Sequence, residues 1–269
     1  MAGEIGGKVA FVTGSGGGLG RRIAEHLARN GADVAIHARR WTSPAKYGEA
    51  EDLGAVAAEL ERLGGRVVTV TGDLGDAQAV AKMRADIEAA LGPADIVVNC
   101  AGGDIGAQGG KPVPNNALDI PLEDVRALVD NNLISTFLVC KTFVVPMRER
   151  GAGTVINVAS SAAHSGFNAA PIYATLKAAI VHYTRCLAAE LRTSGVRVNC
   201  VSPGPSKTAR FEATRVVDPA KMDSSVNSLD RYAEPDEIAE VVAFLAGPRS
   251  RFVNGQVLRI DGGLTLYPG

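Results

Sequence analysis

The sequence is short of cysteine, histidine, aromatic side chains and net charge, and each shortage removes a class of protein. The four cysteines among 269 residues, Cys100, Cys140, Cys186 and Cys200, lie far apart with no CxxC pair, each in an apolar stretch. Reduced, mostly buried thiols are expected, which fits a cytoplasmic protein and gives no sign of a disulfide framework or a zinc site. The four histidines, His26, His37, His164 and His182, form no metal-ligand spacing. His26 and His182 read as helix-surface or satisfied positions, and His164 as a loop residue that is either solvated or in touch with substrate. A formal net charge of −1 offers no broad attraction to phosphate polymers, so nucleic acid is set aside as a partner. No uninterrupted apolar run reaches the roughly 18 residues that cross a bilayer. The opening MAGEIGGKVAFVTG leads into a strand pattern with no signal-peptide core, so neither a membrane nor a secretory route is expected.

What is present is the balance of an ordinary globular protein, 46% hydrophobic and 21% charged, with 31 glycines. Short β-branched runs recur at Val9–Thr13, Val34–Ala38, Val67–Thr71, Ile96–Cys100, Val155–Ala159, Val196–Val201 and Val257–Ile260. Helical patterns separate them: Val56, Leu60 and Leu63 share one face, as do Val80, Met83, Ile87 and Leu91. Such alternation predicts a doubly wound α/β fold of Rossmann type, about seven parallel strands with helices on both faces, in one domain over 1–269. Two stretches interrupt the rhythm, Trp41–Asp52 and Gly103–Pro121. Both follow strand C-termini, the edge where open α/β sheets bind ligands, which makes them candidate site loops.

Thr13-Gly14-Ser15-Gly16-Gly17-Gly18-Leu19-Gly20 lies between the first strand and a helix carrying Ile23, Ala24, Leu27 and Ala28. Glycines at 14, 18 and 20 permit a sharp turn, close approach of a pyrophosphate to the backbone, and tight packing of helix on strand. The helix N-terminus adds free N–H donors. The spacing matches the TGxxxGxG pattern of the short-chain dehydrogenase/reductase family, which this chain resembles over nearly its whole length, most of all the single-domain, 3-oxoacyl-carrier-protein reductase-like branch. The resemblance implies an NAD(P)-binding domain in which Gly14, Ser15, Gly18, Leu19 and Gly20 meet the cofactor. It also implies that Asp73 and Leu74 hold adenine, and that Asn99, Ala101 and Gly102, in a motif where Cys100 replaces the family's second Asn, line the cleft. Pro203 and Gly204 follow the sixth strand beside the nicotinamide, with Thr208 placed for its carboxamide.

Tyr173 and Lys177, four apart, share one helix face, and Ser160 ends the fifth strand 13 residues upstream of Tyr173. A YxxxK alone is weak; its setting lifts it, with Ser161 the near alternative to Ser160. By resemblance the catalytic set is Asn132, Ser160, Tyr173 and Lys177. Hydride transfer to a carbonyl leaves negative charge on oxygen, so one group must donate a proton and another must hydrogen-bond that oxygen. Tyr173 takes the first role and Ser160 the second. Lys177 supports the phenolate and binds the nicotinamide ribose, and Asn132 holds a water in a proton relay, although Ser135 stands where the family usually has Gly and Asn131 is adjacent.

The implied function is NAD(P)(H)-dependent oxidoreduction of a small ketone or secondary alcohol, with a dehydratase, an epimerase or a catalytically silent cofactor-binding regulator as rivals. The intact catalytic set speaks against the regulator. Dehydratase and epimerase relatives usually carry a longer C-terminal substrate domain, and this chain ends at Gly269. Ala38 stands where NAD-preferring relatives place an acidic residue, and Arg39 and Arg40 follow it, so NADP is the expected cofactor and NAD the alternative. Gly17 stands where NADP-preferring relatives often carry a base. Substrate loops are expected at 103–121 and 206–232, the second as a lid, and Lys111, Arg210 and Arg215 are read as solvated unless they meet an anionic substrate. Helices holding Leu133–Met147 and Ile172–Leu191 are apolar over more than one stripe, and with the resemblance they imply a homotetramer.

Overall fold

A computed structural model describes residues 3–225 and 227–266. Seven strands, all parallel, form one sheet: β1 (Val9–Val12), β2 (Asp33–Ala38), β3 (Val67–Thr71), β4 (Ile96–Asn99), β5 (Gly153–Val158), β6 (Val196–Pro203) and β7 (Val257–Ile260), in the order β3-β2-β1-β4-β5-β6-β7. The chain winds outward from β1 to one edge, returns to β4 and winds to the other. The order therefore reverses between β1 and β4, where Ala10 pairs with Ile96 and Val12 with Val98.

The pleat of β1 shows why both faces need helices. Ala10 and Val12 enter the core formed with α1 (Gly18–Arg29), α2 (Leu53–Glu61) and α8 (Pro235–Ala246). Val9 and Phe11 enter the opposite core with α3 (Ala77–Ala90), α5 (Ser135–Arg150) and α6 (Pro171–Glu190). Phe11 stacks on Phe143 of α5 with ring centroids 4.8 Å apart. Each large aliphatic side chain sealed in this way contributes about 1.5–3 kcal/mol. Local signals set the helix starts: Asp52 and Asp76 accept backbone N–H groups at the heads of α2 and α3, and Pro171 and Pro235 open α6 and α8.

All seven expected strands stand, five of them with ends moved by one or two residues. β1 and β4 stop before Thr13 and Cys100, because the N–H groups of Cys100 and Ala101 turn to the Thr13 hydroxyl. β5 begins earlier and stops at Val158, while β6 runs on to Pro203, which pairs with Ile260 of β7. The Trp41–Asp52 stretch holds a 3-10 turn at Ser43–Tyr47. The lid segment contains the short helix α7 (Ala209–Thr214) and a 3-10 turn at Pro219–Lys221; Val226 within it lies outside the described residues.

Between α4 (Leu122–Val129) and α5 the helix widens into a π turn at Asp130–Ile134. By length and hydropathy the combined Leu122–Arg150 helix resembles a membrane span. Its apolar side is occupied by the sheet, with Val139, Cys140, Phe143, Val144 and Met147 buried. The cysteines are all free, and Cys186, expected among buried thiols, is instead exposed on α6.

Candidate active site

The switch between β1 and β4 opens a crevice at their C-terminal ends. Its floor is built by Thr13, whose hydroxyl accepts the N–H groups of Cys100 and Ala101, both at 3.0 Å, and donates to the Val98 carbonyl at 3.3 Å. Gly14 turns there with φ of +68°, and a Cβ on it would stand 2.9 Å from the Ala101 Cα. A Cβ on Gly20 would stand 2.4 Å from the Gly14 carbonyl oxygen. These two positions need glycine for space, and Gly14 also for its left-handed φ. α1 begins at Gly18 at this end of the crevice, and the amides of its first turn, Gly18 and Leu19 among them, have no partner within the helix. Ser15 is fully buried and structural: it donates to the Val12 carbonyl at 2.7 Å and accepts from the His37 amide at 2.9 Å.

His37, on β2 beneath this loop, was not among the expected site residues. Its Nδ1 accepts the Gly14 N–H at 3.1 Å, and its Nε2, 3.1 Å from the Gly72 carbonyl, is the donor that contact requires. Burial lowers its pKa to about 4, with the Arg39 charge adding to the fall and the Gly72 and Asp73 oxygens opposing it. The neutral tautomer thus braces the glycine turn.

Past the C-terminal end of β2, Arg39 reaches across the mouth to the Asn131 side-chain amide oxygen Oδ1 at 2.5 Å and lies 3.6 Å from the Asp73 carboxylate. Asp73 accepts the Gly75 amide, Leu74 is buried, and the exposed Arg40 is held, among the described residues, through its main chain by Ser43. The Asn99 side chain turns away from the cleft and donates to Asn157 at 2.9 Å, which in turn donates to Thr184 of α6 at 2.9 Å. Asn99 therefore supports the crevice from below, and Ala101 and Gly102 form its wall.

On the β5 side, Ser160 leaves the strand half-buried and accepts the Ala162 amide at 3.3 Å, while Ser161 is buried. Lys177 is buried, and its ammonium donates to the Val158 carbonyl at 2.9 Å, two residues before Ser160. The same ammonium lies 5.7 Å from the centre of the Tyr173 ring. One lysine thus ties α6 to the end of β5 and brings Ser160, Tyr173 and Lys177 to one edge of the crevice.

Asn132 lies in the π turn, fully buried. Its amide nitrogen donates to the Gly103 and Leu128 carbonyls at 3.0 and 2.9 Å, and its oxygen accepts the Gly103 amide at 2.8 Å. The wide turn frees the Leu128 carbonyl that Asn132 takes up. Beyond β6, Gly204 is held to the Ile260 carbonyl at 2.9 Å, and Thr208 caps α7 within 3.7 Å of where a Cβ of Gly18 would stand.

Two readings of surface residues change. His164 is not a solvated loop histidine: its Nε2 lies 2.9 Å from the Ser202 hydroxyl, and burial lowers its pKa. Arg210 is not free in solvent, for its guanidinium bonds the Gly102 carbonyl at 3.1 Å. Arg215 lies over the Phe211 ring at 5.1 Å, and Lys111 has its pKa lowered by partial burial and then by Arg215. His26 contacts Asp236 at 2.6 Å. Alongside His37, the sequence reading missed Glu49, whose carboxylate accepts the Gly18 amide at 2.5 Å. The crowding at Gly14 and Gly20 and the amides of α1 fit a dinucleotide pyrophosphate.

Residues 14–265 match the family model described as enoyl-(acyl carrier protein) reductase. A cyclohexanol dehydrogenase of Rhodococcus sp. (strain TK6) is 34% identical over 268 residues, covering 96% of each chain. A solved structure titled short chain dehydrogenase/reductase family protein is 36% identical, with a TM-score of 0.76 over 97% of this chain and 98% of that one. A 3-oxoacyl-[acyl-carrier protein] reductase with bound NAD from Brucella melitensis is 28% identical, with a TM-score of 0.83 over 99% and 94%.

Proposed function

This chain belongs to the short-chain dehydrogenase/reductase family and is a nicotinamide-dependent oxidoreductase of ketones and secondary alcohols, and from that premise we propose that Tyr173, Ser160 and Lys177 carry its chemistry. The nicotinamide, when bound, supplies or accepts the hydride. As a carbonyl becomes an alkoxide, the Tyr173 hydroxyl gives its proton to the oxygen while the Ser160 hydroxyl hydrogen-bonds it. In the oxidative direction the Tyr173 phenolate takes the proton back. The Lys177 ammonium, removed from water and anchored on Val158, stabilises that phenolate more strongly than a solvated lysine does. This placement of Lys177 between β5 and the Tyr173 ring is the observation that carries the assignment. Asn132 fixes the Gly103 backbone through its side-chain amide and, in this reading, is the fourth member of the catalytic set, holding the water of a proton relay through Lys177.

Gly14, Ser15, Gly18, Leu19, Gly20, Asp73, Leu74, Asn99, Ala101, Gly102, Pro203, Gly204 and Thr208 form the cofactor cleft in this reading, as walls or as supports beneath them. NADP is the preferred cofactor, because Ala38 carries no carboxylate to repel a 2′-phosphate and Arg39 and Arg40 stand at the adenosine end. NAD, which the Brucella neighbour holds, is the alternative. The chain acts as one NAD(P)-binding domain whose segments 103–121 and 206–232 choose the substrate. It assembles as a homotetramer in the cytoplasm, a reading supported by half-exposed Phe137, Leu138 and Val145 on α5 and by four free thiols. The test is a screen of ketones and secondary alcohols with NADH, NADPH and their oxidised forms, followed at the nicotinamide absorbance. Active wild type and a Tyr173→Phe variant slowed by about 100-fold or more with dinucleotide binding intact are expected. A variant keeping a tenth of wild-type turnover refutes the assignment.

A further inference from the structure

Where the pyrophosphate is expected, a carboxylate is already bonded. Glu49 Oε2 accepts the Gly18 amide at 2.5 Å, and a Cβ on Gly17 would stand 2.8 Å from that same oxygen. The other oxygen, Oε1, lies 4.0 Å from the place of a Gly18 Cβ, which also has Thr208 within 3.7 Å. The carboxylate thus sits between the head of α1 and the segment after β6. Among the described residues no lysine or arginine pairs with it, and the group that donates to it is the Gly18 amide at the head of α1. This is the electrostatic setting that a helix N-terminus offers to a phosphate.

The segment that delivers Glu49 is tied down on both sides of the cleft. Arg21 of α1 donates to the Glu49 carbonyl at 2.8 Å, Lys46 donates to the Gly109 carbonyl at 2.9 Å, and Leu53 donates to the Trp41 carbonyl at 2.9 Å. Its main chain is therefore a strap across the crevice mouth, and only the Glu49 side chain needs to turn for the Gly18 amide to be released.

We propose that Glu49 is a resident competitor for the dinucleotide: its carboxylate fills the anion seat at the glycine loop and must leave before a pyrophosphate can take the same amide. The inference rests on the reading that this loop receives the dinucleotide. Two anions cannot share one N–H donor, so the affinity for either cofactor is set below what the loop alone provides.

Glu49→Gln removes the charge and keeps the length. Gly17→Ala works from the other side, since its Cβ meets the carboxylate while the extended φ of −169° at this residue accepts any side chain. Isothermal titration of the full chain with NADH and NADPH is expected to show Kd values about tenfold lower for both cofactors in each variant, with no further gain in the double variant. Wild type that binds dinucleotide with Glu49→Gln unchanged overturns the competitor. A loss of NADH affinity in Glu49→Gln overturns it too, and assigns the carboxylate to the ribose hydroxyls. Absence of binding in wild type and variants alike overturns this proposal together with the dinucleotide reading.

Discussion

His37 makes the protein sensitive to acid in a window set by its own burial. The imidazole is neutral in the fold, accepting from Gly14 and donating to Gly72. A proton added at Nδ1 would face the Gly14 N–H, donor against donor. Its folded-state pKa is about 4 against an ordinary 6.5, so the unfolded chain binds a proton before the folded one does. The stability is fully present above pH 6.5, falls as pH drops through the window, and levels out below about pH 4. That gap is worth roughly 3 kcal/mol, at about 1.4 kcal/mol per pH unit. Carboxylates titrate nearby, so the measurement is a difference between wild type and His37→Gln, in which they cancel. Urea unfolding followed by far-ultraviolet circular dichroism, from about pH 7 to about pH 4, should find the variant less stable near neutrality by about 1–3 kcal/mol, because an amide replaces the two ring contacts imperfectly. The gap should then narrow steadily with acidification. A gap that stays constant within about 0.5 kcal/mol across the window refutes the buried neutral histidine.

Lys177→Ala should slow turnover by about 100-fold and also weaken dinucleotide binding, as stopped-flow and titration will show; a change in one alone contradicts its double role. Arg39→Ala should weaken NADPH by about 1.5–3 kcal/mol and leave NADH nearly unchanged, an expectation that equal losses for both cofactors defeat. Asn132→Ala strands the Gly103 amide and carbonyl and the Leu128 carbonyl, so the denaturant midpoint should fall by an amount equal to about 1–3 kcal/mol or more, with an unchanged m value. Light scattering at micromolar concentration should find four copies together, and a monomer there removes the tetramer.

What the chain order reveals is the periodic part of the molecule. β-Branched runs and helix stripes pointed to the sheet, and the glycine spacing together with Tyr173 and Lys177 pointed to the crevice and the edge where Ser160, Tyr173 and Lys177 meet, because those signals are local. His37 was invisible as a brace because its partners are 23 and 35 residues away. Glu49 lies 31 residues from Gly18, in a segment with no periodicity to place it. Asn132 could be picked out, but not the capture of Gly103 by its amide, which depends on a π turn that no sequence period announces. Asn99 sits in a motif that suggests a cleft residue, yet the parallel register of β4 and β5 sets it opposite Asn157 and turns its amide inward.

Thr13 leaves a last consequence. Its hydroxyl has one proton and two lone pairs, and all three are committed, one to Val98 and two to the amides that begin the opposite wall. The gauge of the slot between the two sheet halves is therefore fixed by a single oxygen before any ligand arrives. A dinucleotide entering it orders little backbone, and the free energy of its contacts appears as affinity instead of being spent on shaping the slot. Valine has the shape of threonine but neither lone pair, so at this position it would leave the slot's width to be found anew at every encounter.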